Sequence, residues 1–193
     1  MIHLQCTQPV LKHIACDPKG MNQAGDTDAL LGNWSVTDFV VDRRHAFIFM
    51  SDKCLLSFLL LEGEMKFDLS NLQILLRNGL AQLLEFMAIP QESIDAAIAD
   101  MDVMWVTKTK DRSILGNLTA LVDAYQDGIY RRGGLKSFEL SELILNVNNR
   151  PQRRLGWASP AEFTHELLGL KGKDFKPRRA QVSSATILSL SAQ

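Results

Sequence analysis

The chain has 193 residues, of which 46% are hydrophobic and 22% are charged. That balance excludes a disordered or a fibrous protein, and three cysteines are an odd count that argues against a disulfide scaffold. The net charge of -1 combines an acidic stretch, residues 1–149, with 13 Lys and Arg against 19 Asp and Glu, and a basic stretch, residues 150–193, with 8 against 3.

The first third of the chain carries the strand signals. A short strand is predicted over Met1–Cys6, followed by a short helix that ends near Ile14. Three runs rich in β-branched, aromatic and other apolar residues follow, at 34–41, 45–50 and 54–61. Because the breaks between them are short and polar, we expect an antiparallel meander whose middle strand is covered on both faces.

The later part of the chain has the apolar spacing of helices. Leucines recur at that spacing after Asp68, a predicted N-cap, and further helices are predicted to start near Pro90, Asp111, Ser137 and Ser159. A fourth strand of the main sheet is predicted at 103–108. The fold class is therefore α+β, an antiparallel β-meander sheet covered by helices. Residues 1–169 are expected to form a single domain, and residues 170–193 a basic, flexible tail.

The sequence predicts no membrane segment. Its longest apolar run, 54–61, is interrupted by Ser57 and is too short to cross a bilayer. No charged segment followed by a long apolar stretch stands at the N-terminus, so no secretory signal is expected. We therefore expect a protein of a bacterial-type cytoplasm with no membrane partner.

Five local patterns, taken in order, resemble a known family. They are Leu4-Gln5-Cys6-Thr7, Val41-Asp42-Arg43-Arg44, Ser51-Asp52-Lys53 leading to Leu56-Ser57-Phe58, Thr107-Lys108-Thr109 with Arg112-Ser113-Ile114-Leu115-Gly116-Asn117, and Asn149-Arg150-Pro151-Gln152 with Leu155-Gly156-Trp157. The set resembles a family of small uncharacterised bacterial proteins, described as a domain of unknown function, over roughly residues 1–169. The resemblance implies a single cytoplasmic domain and carries over no activity or site.

A second, shorter stretch is similar to the end of the catalytic core of transposase integrases. It comprises Asn149-Arg150-Pro151, Leu155-Gly156 and Ser159-Pro160-Ala161-Glu162. Such nucleases need three carboxylates that converge on two metal ions, and the candidates here are Asp38, Asp111 and Glu142. The simpler interpretation is a solvated strand residue, a helix N-cap and a residue on a polar helix face.

Two pairs of residues have the ligand types of a zinc site. They are His3 with Cys6 and His13 with Cys16. However, His3 and Cys6 would point to opposite faces of an extended strand, because their separation of three is odd. We therefore predict no metal site and no cofactor.

The other candidate nucleophiles and bases have simple structural interpretations. Cys54 lies in an apolar strand and is expected to be an inert core residue. His45 is predicted to lie at a hairpin, and His165 on a helix surface. The chain also lacks a Gly-x-Ser-x-Gly elbow, a Walker A loop and a Gly-x-Gly-x-x-Gly loop.

The basic C-terminal segment is the candidate nucleic-acid site. Phosphate contacts give an affinity that falls with salt, and an aromatic ring beside arginines can stack on a base or, equally, fill a groove between helices. The candidate residues are Arg150, Arg153, Arg154, Trp157, Lys171, Lys173, Lys176, Arg178 and Arg179. A second basic cluster, Lys108, Lys110 and Arg112, stands at a predicted helix start, where backbone N–H groups can hold an anion. Each basic residue alone is more simply part of a solvated rim.

These patterns leave three functional hypotheses. Because no catalytic constellation stands out, the main hypothesis is a non-enzymatic interaction module with an unknown protein partner. The alternatives are a nucleic-acid-binding protein that uses the basic C-terminal segment, and a divergent ribonuclease-H-like, metal-dependent nuclease. Trp34, Trp105 and Trp157 are candidate walls of a pocket, since large aromatic side chains often line binding sites.

Overall fold

Five strands and six helices make up the part of the chain that the computed structural model describes, residues 1–19, 21, 23–63 and 66–170. The strands are β1 (Ile2–Cys6), β2 (Trp34–Val41), β3 (Arg44–Ser51), β4 (Ser57–Leu61) and β5 (Met104–Lys108). The helices are α1 (Gln8–His13), α2 (Leu72–Phe86), α3 (Gln91–Ala99), α4 (Arg112–Arg131), α5 (Leu140–Asn148) and α6 (Pro160–Leu167), with a short 3-10 turn at Arg153–Leu155. None of these described helices is long and apolar enough to cross a membrane.

The strands form one mixed sheet in the order β4-β3-β2-β1-β5. β2, β3 and β4 are antiparallel neighbours, as the meander prediction requires, whereas β1 lies parallel to both β2 and β5. The α+β class is confirmed, but the prediction of an antiparallel meander sheet was wrong for β1 and β5. Short polar turns fix only the pairing of adjacent strands, and the long connections that include α1, α2 and α3 return the chain in the parallel direction.

Local signals place the hairpin and two of the helix starts correctly. Asp42 and Arg43 have φ values of 48° and 63°, the left-handed conformations of a two-residue hairpin turn between β2 and β3. The Asp111 carboxylate caps α4 by accepting hydrogen bonds from the backbone N–H of Ser113. Ser159 starts α6 with a capping box.

Two other helices begin later than their predicted caps. The Asp68 carboxylate accepts the N–H groups of Ser70 and Asn71, which closes a turn of its own before α2 begins. Ser137 donates its hydroxyl to the Gly133 carbonyl, and Glu139 is the N-cap of α5. In both cases the polar side chain makes its hydrogen bond within a turn that lies before the helix. The helix N-cap is therefore two or three residues later than predicted.

The two faces of the sheet are covered by different helices. On one face, α2 packs so closely that a Cβ on Gly79 would collide with the ring of Phe58, and His13 of α1 contacts Phe47. The other face lies under α4, whose Ile114 packs in a cluster with Met50. We call this second side of the sheet the α4 face.

A row of polar side chains crosses the α4 face. Strand register pairs Thr107 with Gln5, Gln5 with Ser35, Ser35 with Met50 and Met50 with Ser57, and paired residues project to the same side of a sheet. All five side chains are at least nine-tenths buried. We call these five residues the cross-sheet row. Four of them are polar, so each needs a hydrogen-bond partner or carries a cost.

Candidate functional site

At the β4 end of the cross-sheet row, every polar group is paired. The hydrogen bond from Ser51 N–H to the Leu56 carbonyl, 2.9 Å, directs the backbone groups of Ser57 away from β3. Asn148 of α5 binds them: its Oδ1 accepts from Ser57 N–H at 2.8 Å, and its Nδ2 donates to the Ser57 carbonyl at 2.6 Å. The Tyr125 hydroxyl lies 3.1 Å from Ser57 Oγ. The Asn148 amide therefore replaces a neighbouring strand at this position of β4.

The same end of the row borders a small cavity of about 180 Å³, lined by Ser57, Asn117 and Arg150 among others. Tyr125 behind it is fully buried, and burial raises the pKa of its phenol far above the ordinary value, so the hydroxyl remains protonated. Arg150, one of the candidate nucleic-acid-binding residues, thus lies beside this cavity just after α5.

Towards the β5 end of the row, the polar groups lack protein partners. Ser35 Oγ and Thr107 Oγ1 are buried without a hydrogen bond within the described residues. Between them stands Gln5, which is 7% exposed and whose side-chain amide makes no hydrogen bond to any described residue. Gln5 projects into a cleft of about 290 Å³. We call it the polar cleft.

The polar cleft opens beside the N-terminus of α4, between segments that are distant in sequence. Loop 23–26 and Asn33 form one side, Asp52 from the end of β3 another, and the β5–α4 connection the rest. The cleft is lined by Gln5, Gln23, Ala24, Gly25, Asp26, Asn33, Asp52, Lys108, Lys110, Asp111 and Ile114. Lys108 and Lys110, which the sequence places at a helix start, therefore line the cleft.

The loop that covers the cleft is held by a buried side chain. Asn33 Oδ1 accepts the backbone N–H of His3 at 2.8 Å, and Asn33 Nδ2 donates to the Gly25 carbonyl at 2.9 Å. Because this amide joins β1 to loop 23–26, the cleft has a defined wall rather than an open rim.

Asp52 is the titrating group of the cleft. Gly32 has a φ of 76°, and a Cβ there would collide with the Asp52 carboxylate, so only glycine lets the chain pass this close. Burial raises the pKa of Asp52 to about 6, against the opposing effect of backbone N–H groups and the positive charge of Arg154. A carboxyl group that titrates near neutrality in a cleft is typical of binding and catalytic sites.

The basic residues after α5 lie on one tight turn, residues 150–157, which we call the basic loop. Gln152 N–H donates to the Ala158 carbonyl and Trp157 N–H to the Gln152 carbonyl, both at 3.0 Å. Trp157 has a φ of 73° and a side chain that is 68% exposed, beside exposed Arg153 and Arg154. A bulky side chain in the left-handed region is rare and strained, and such strain is concentrated at functional positions.

The basic loop touches the start of α4. Arg154 Nη1 lies 3.5 Å from Ser113 Oγ, next to Arg112 in sequence. Two basic clusters about 40 residues apart in the chain are therefore neighbours on the surface. The remaining candidate residues, Lys171, Lys173, Lys176, Arg178 and Arg179, lie outside the described residues.

The three carboxylates of the nuclease hypothesis do not form a metal site. Asp38 lies 3.7 Å from His45 Nδ1, Asp111 caps α4, and Glu142 stands in the first turn of α5. Within the described ranges, no three His, Cys, Asp or Glu are grouped so that they could hold a metal ion. That site prediction was wrong, because each carboxylate has a local role of its own.

The candidate zinc pairs likewise form no group that could hold a metal ion among the described residues. Burial, with a smaller effect of Cys16, raises the pKa of the Cys6 thiol to about 12, so it stays protonated. His13 instead lies 3.1 Å from Glu62, and its ring centroid is 5.0 Å from that of His45. This cluster was not predictable from sequence patterns, since Glu62 is 49 residues away from His13. Cys54 is fully buried, as a core residue is expected to be.

The three tryptophans have different environments. Trp34 is fully buried in the core, and Trp157 lies on the basic loop, whereas Trp105 is 59% exposed on β5. β5 is an edge strand: Ile2 N–H donates to the Val103 carbonyl, so alternate residues, such as Val106, direct their backbone groups away from β1. In the described chain those outward groups have no strand beside them.

The described chain is thus an α+β fold with a mixed five-stranded sheet and a polar cleft beside the start of α4. The profile of DUF6933, a domain of unknown function, matches residues 3–163. The chain therefore belongs to the DUF6933 family, which agrees with the resemblance found in the sequence. No curated protein matches the chain at a significant level.

Proposed function

We propose that the protein is a non-enzymatic binding module whose basic loop binds single-stranded nucleic acid. The observation that carries this proposal is the exposed ring of Trp157, held in a strained backbone conformation beside Arg153 and Arg154. An exposed aromatic ring gives a base a surface to stack on, and the adjacent guanidinium groups attract the phosphates on either side of that base.

The contact between Arg154 and Ser113 extends this surface. It brings Arg112 of α4 next to the basic loop, which adds positive charge along one path. The sequence of the C-terminal tail, residues 170–193, adds three Lys and two Arg after the last helix. Phosphate contacts by these residues in addition to those of the loop would make the affinity depend more steeply on salt.

The test is fluorescence anisotropy with a labelled oligothymidylate at several salt concentrations. The logarithm of the affinity should fall linearly with the logarithm of salt, by about 0.7 for each phosphate contact. Trp157→Ala should weaken binding by about 1–3 kcal/mol, roughly 5- to 150-fold, through lost stacking. A chain that ends at residue 170 should have a shallower salt dependence than the full chain.

Trp105→Ala is the matched control for the stacking role. Trp105 is similarly exposed but lies on β5, away from the arginines of the basic loop. Its substitution should leave the affinity for oligothymidylate unchanged. Binding that ignores salt, or that Trp105→Ala and Trp157→Ala reduce equally, contradicts the proposal.

A protein partner is the second candidate, and the free edge of β5 favours it. The N–H and C=O groups of Met104, Val106 and Lys108 point outward, and exposed Trp105 and Val103 offer apolar contacts beside them. The opposite edge, at β4, is blocked by Asn148. An extended peptide could therefore add to the sheet at β5 through main-chain hydrogen bonds.

Val106→Pro tests this second candidate. The substitution removes an outward N–H and leaves the hydrogen bonds to β1 in place, because proline is tolerated where the N–H faces away from the sheet. A protein partner captured by the wild-type chain should be lost with Val106→Pro and kept with Trp157→Ala. Capture that Val106→Pro leaves intact, at an unchanged unfolding midpoint, rules out β5 as the interface.

A further inference from the structure

The side chain of Gln5 lies in the polar cleft without a hydrogen-bond partner among the described residues. The residue is 7% exposed. The hydroxyls on its two neighbouring strands, Ser35 and Thr107, are likewise unpaired. Burying a hydroxyl without a partner is unfavourable, and native proteins keep few such groups. The strands around Gln5 therefore carry unpaired hydroxyls at a cost to stability, and the Gln5 amide itself is available to a ligand in the cleft.

Charges of both signs face the polar cleft and do not pair with each other. Lys108 and Lys110 line it from the β5–α4 connection, and Asp26 and Asp52 line it from the other side. No ion pair joins these lysines to these aspartates. Asp111 is already engaged as the cap of α4, so the helix N-terminus itself offers little to an anion. Charges that are held apart across a cleft are complementary to a ligand that carries both signs.

We infer that the polar cleft binds a free amino acid with a polar side chain. The α-carboxylate of such a zwitterion fits the ammonium groups of Lys108 and Lys110, and its α-ammonium group fits the carboxylates of Asp26 and Asp52. The Gln5 amide can both donate to and accept from a ligand amide or hydroxyl.

The size of the cleft also indicates a small ligand. A volume of about 290 Å³ lies just below the usual range of small-molecule pockets and suits a ligand of the size of an amino acid. Asn33 fixes the covering loop to β1, so the cleft is largely formed before a ligand enters. The cleft shares no lining residue with the basic loop, although Arg154 is near enough for its charge to act on Asp52. The inference does not depend on the proposed nucleic-acid binding.

The experiment is isothermal titration of the full chain with L-glutamine, L-asparagine, L-serine and L-threonine, and with L-leucine as an apolar comparison. At least one polar amino acid should bind, and leucine should not. The N-acetyl and the carboxamide derivatives of the ligand that binds each lack one charge, and both should bind at least about tenfold more weakly. Absence of binding by all four polar amino acids overturns the inference, as does equal binding of a derivative.

Gln5→Met is the decisive variant, because methionine keeps the length of glutamine and lacks the amide. It should abolish binding while the thermal unfolding midpoint stays close to that of the wild type, since the amide makes no hydrogen bond within the described chain. Gln126→Met, on the exposed side of α4, is the matched control and should keep wild-type affinity. Trp157→Ala should also keep it, which separates this site from the basic loop. Retained binding in Gln5→Met overturns the inference.

Discussion

The two ends of the cross-sheet row differ in hydrogen bonding and not in burial. Ser57 at the β4 end and Ser35, two strands away on β2, are both fully buried on the α4 face. Ser57 is held by Asn148 and Tyr125, whereas Ser35 and its neighbour Gln5 have no partner among the described residues. One sheet therefore contains a closed polar network at β4 and an open one that begins two strands away at β2 and extends to β5.

This difference indicates which part of the sheet contributes to stability and which part is available for function. A buried polar group that loses its partner costs about 1–3 kcal/mol, so the closed end contributes to stability and the open end reduces it. A protein retains an unpaired buried polar group where another role of that region offsets the loss of stability. The open end is also where Asp52 titrates and where lysines and aspartates face each other unpaired.

Asn148→Ala is expected to break the closed end and to have the largest effect. It removes the hydrogen bonds to the N–H and C=O of Ser57 and leaves both groups buried, which should lower the free energy of unfolding by roughly 3 kcal/mol. Urea denaturation followed by circular dichroism measures this loss. Asn149→Ala, at the exposed next residue, is the control and should change stability by less than about 0.5 kcal/mol. A loss in Asn148→Ala no larger than that of the control would mean that the network does not stabilise the sheet.

Asp52→Asn is expected to have the next largest effect on the free energy of unfolding, and this effect should appear only above about pH 4. The raised pKa, about 6 against an ordinary value of 3.8, means that the folded chain holds this proton more tightly than the unfolded chain. The stability from Asp52 is therefore present below about pH 4 and is lost as pH rises through 6. Each pKa unit corresponds to about 1.4 kcal/mol, and partial exposure of the side chain reduces the total to roughly 2 kcal/mol.

Urea denaturation of wild type and Asp52→Asn across this pH range provides the test. The two chains should be equally stable near pH 4, and the variant should be more stable by roughly 2 kcal/mol at pH 8. The comparison between variants cancels the other titrating groups. A difference that does not change with pH would show that Asp52 is not the group that titrates in the cleft.

Local features of the fold could be predicted from the sequence, whereas contacts between segments that are distant in the chain could not. The turn at Asp42 and the caps at Asp111 and Ser159 follow from neighbouring residues, so their positions were predictable. The pairing of Asn148 with Ser57 joins residues 91 apart, and the polar cleft depends on β1 lying parallel between β2 and β5. No short motif encodes either. The available signal was a polar residue inside a predicted strand, such as Gln5 in β1 or Ser57 in β4, and such residues also occur in strands that form no site.

The smallest effect compares the two ends directly, with the same substitution at two equally buried serines. Ser57→Ala should lower the free energy of unfolding by about 1 kcal/mol, because the Tyr125 hydroxyl keeps only the Ser57 carbonyl, at 3.4 Å. Ser35→Ala removes a hydroxyl that has no partner and should leave stability unchanged or slightly higher. Urea denaturation at one pH measures both. Because residue type, burial and face are matched, equal losses at the two positions would mean that Ser35 is paired after all, and that the open end of the row is not open.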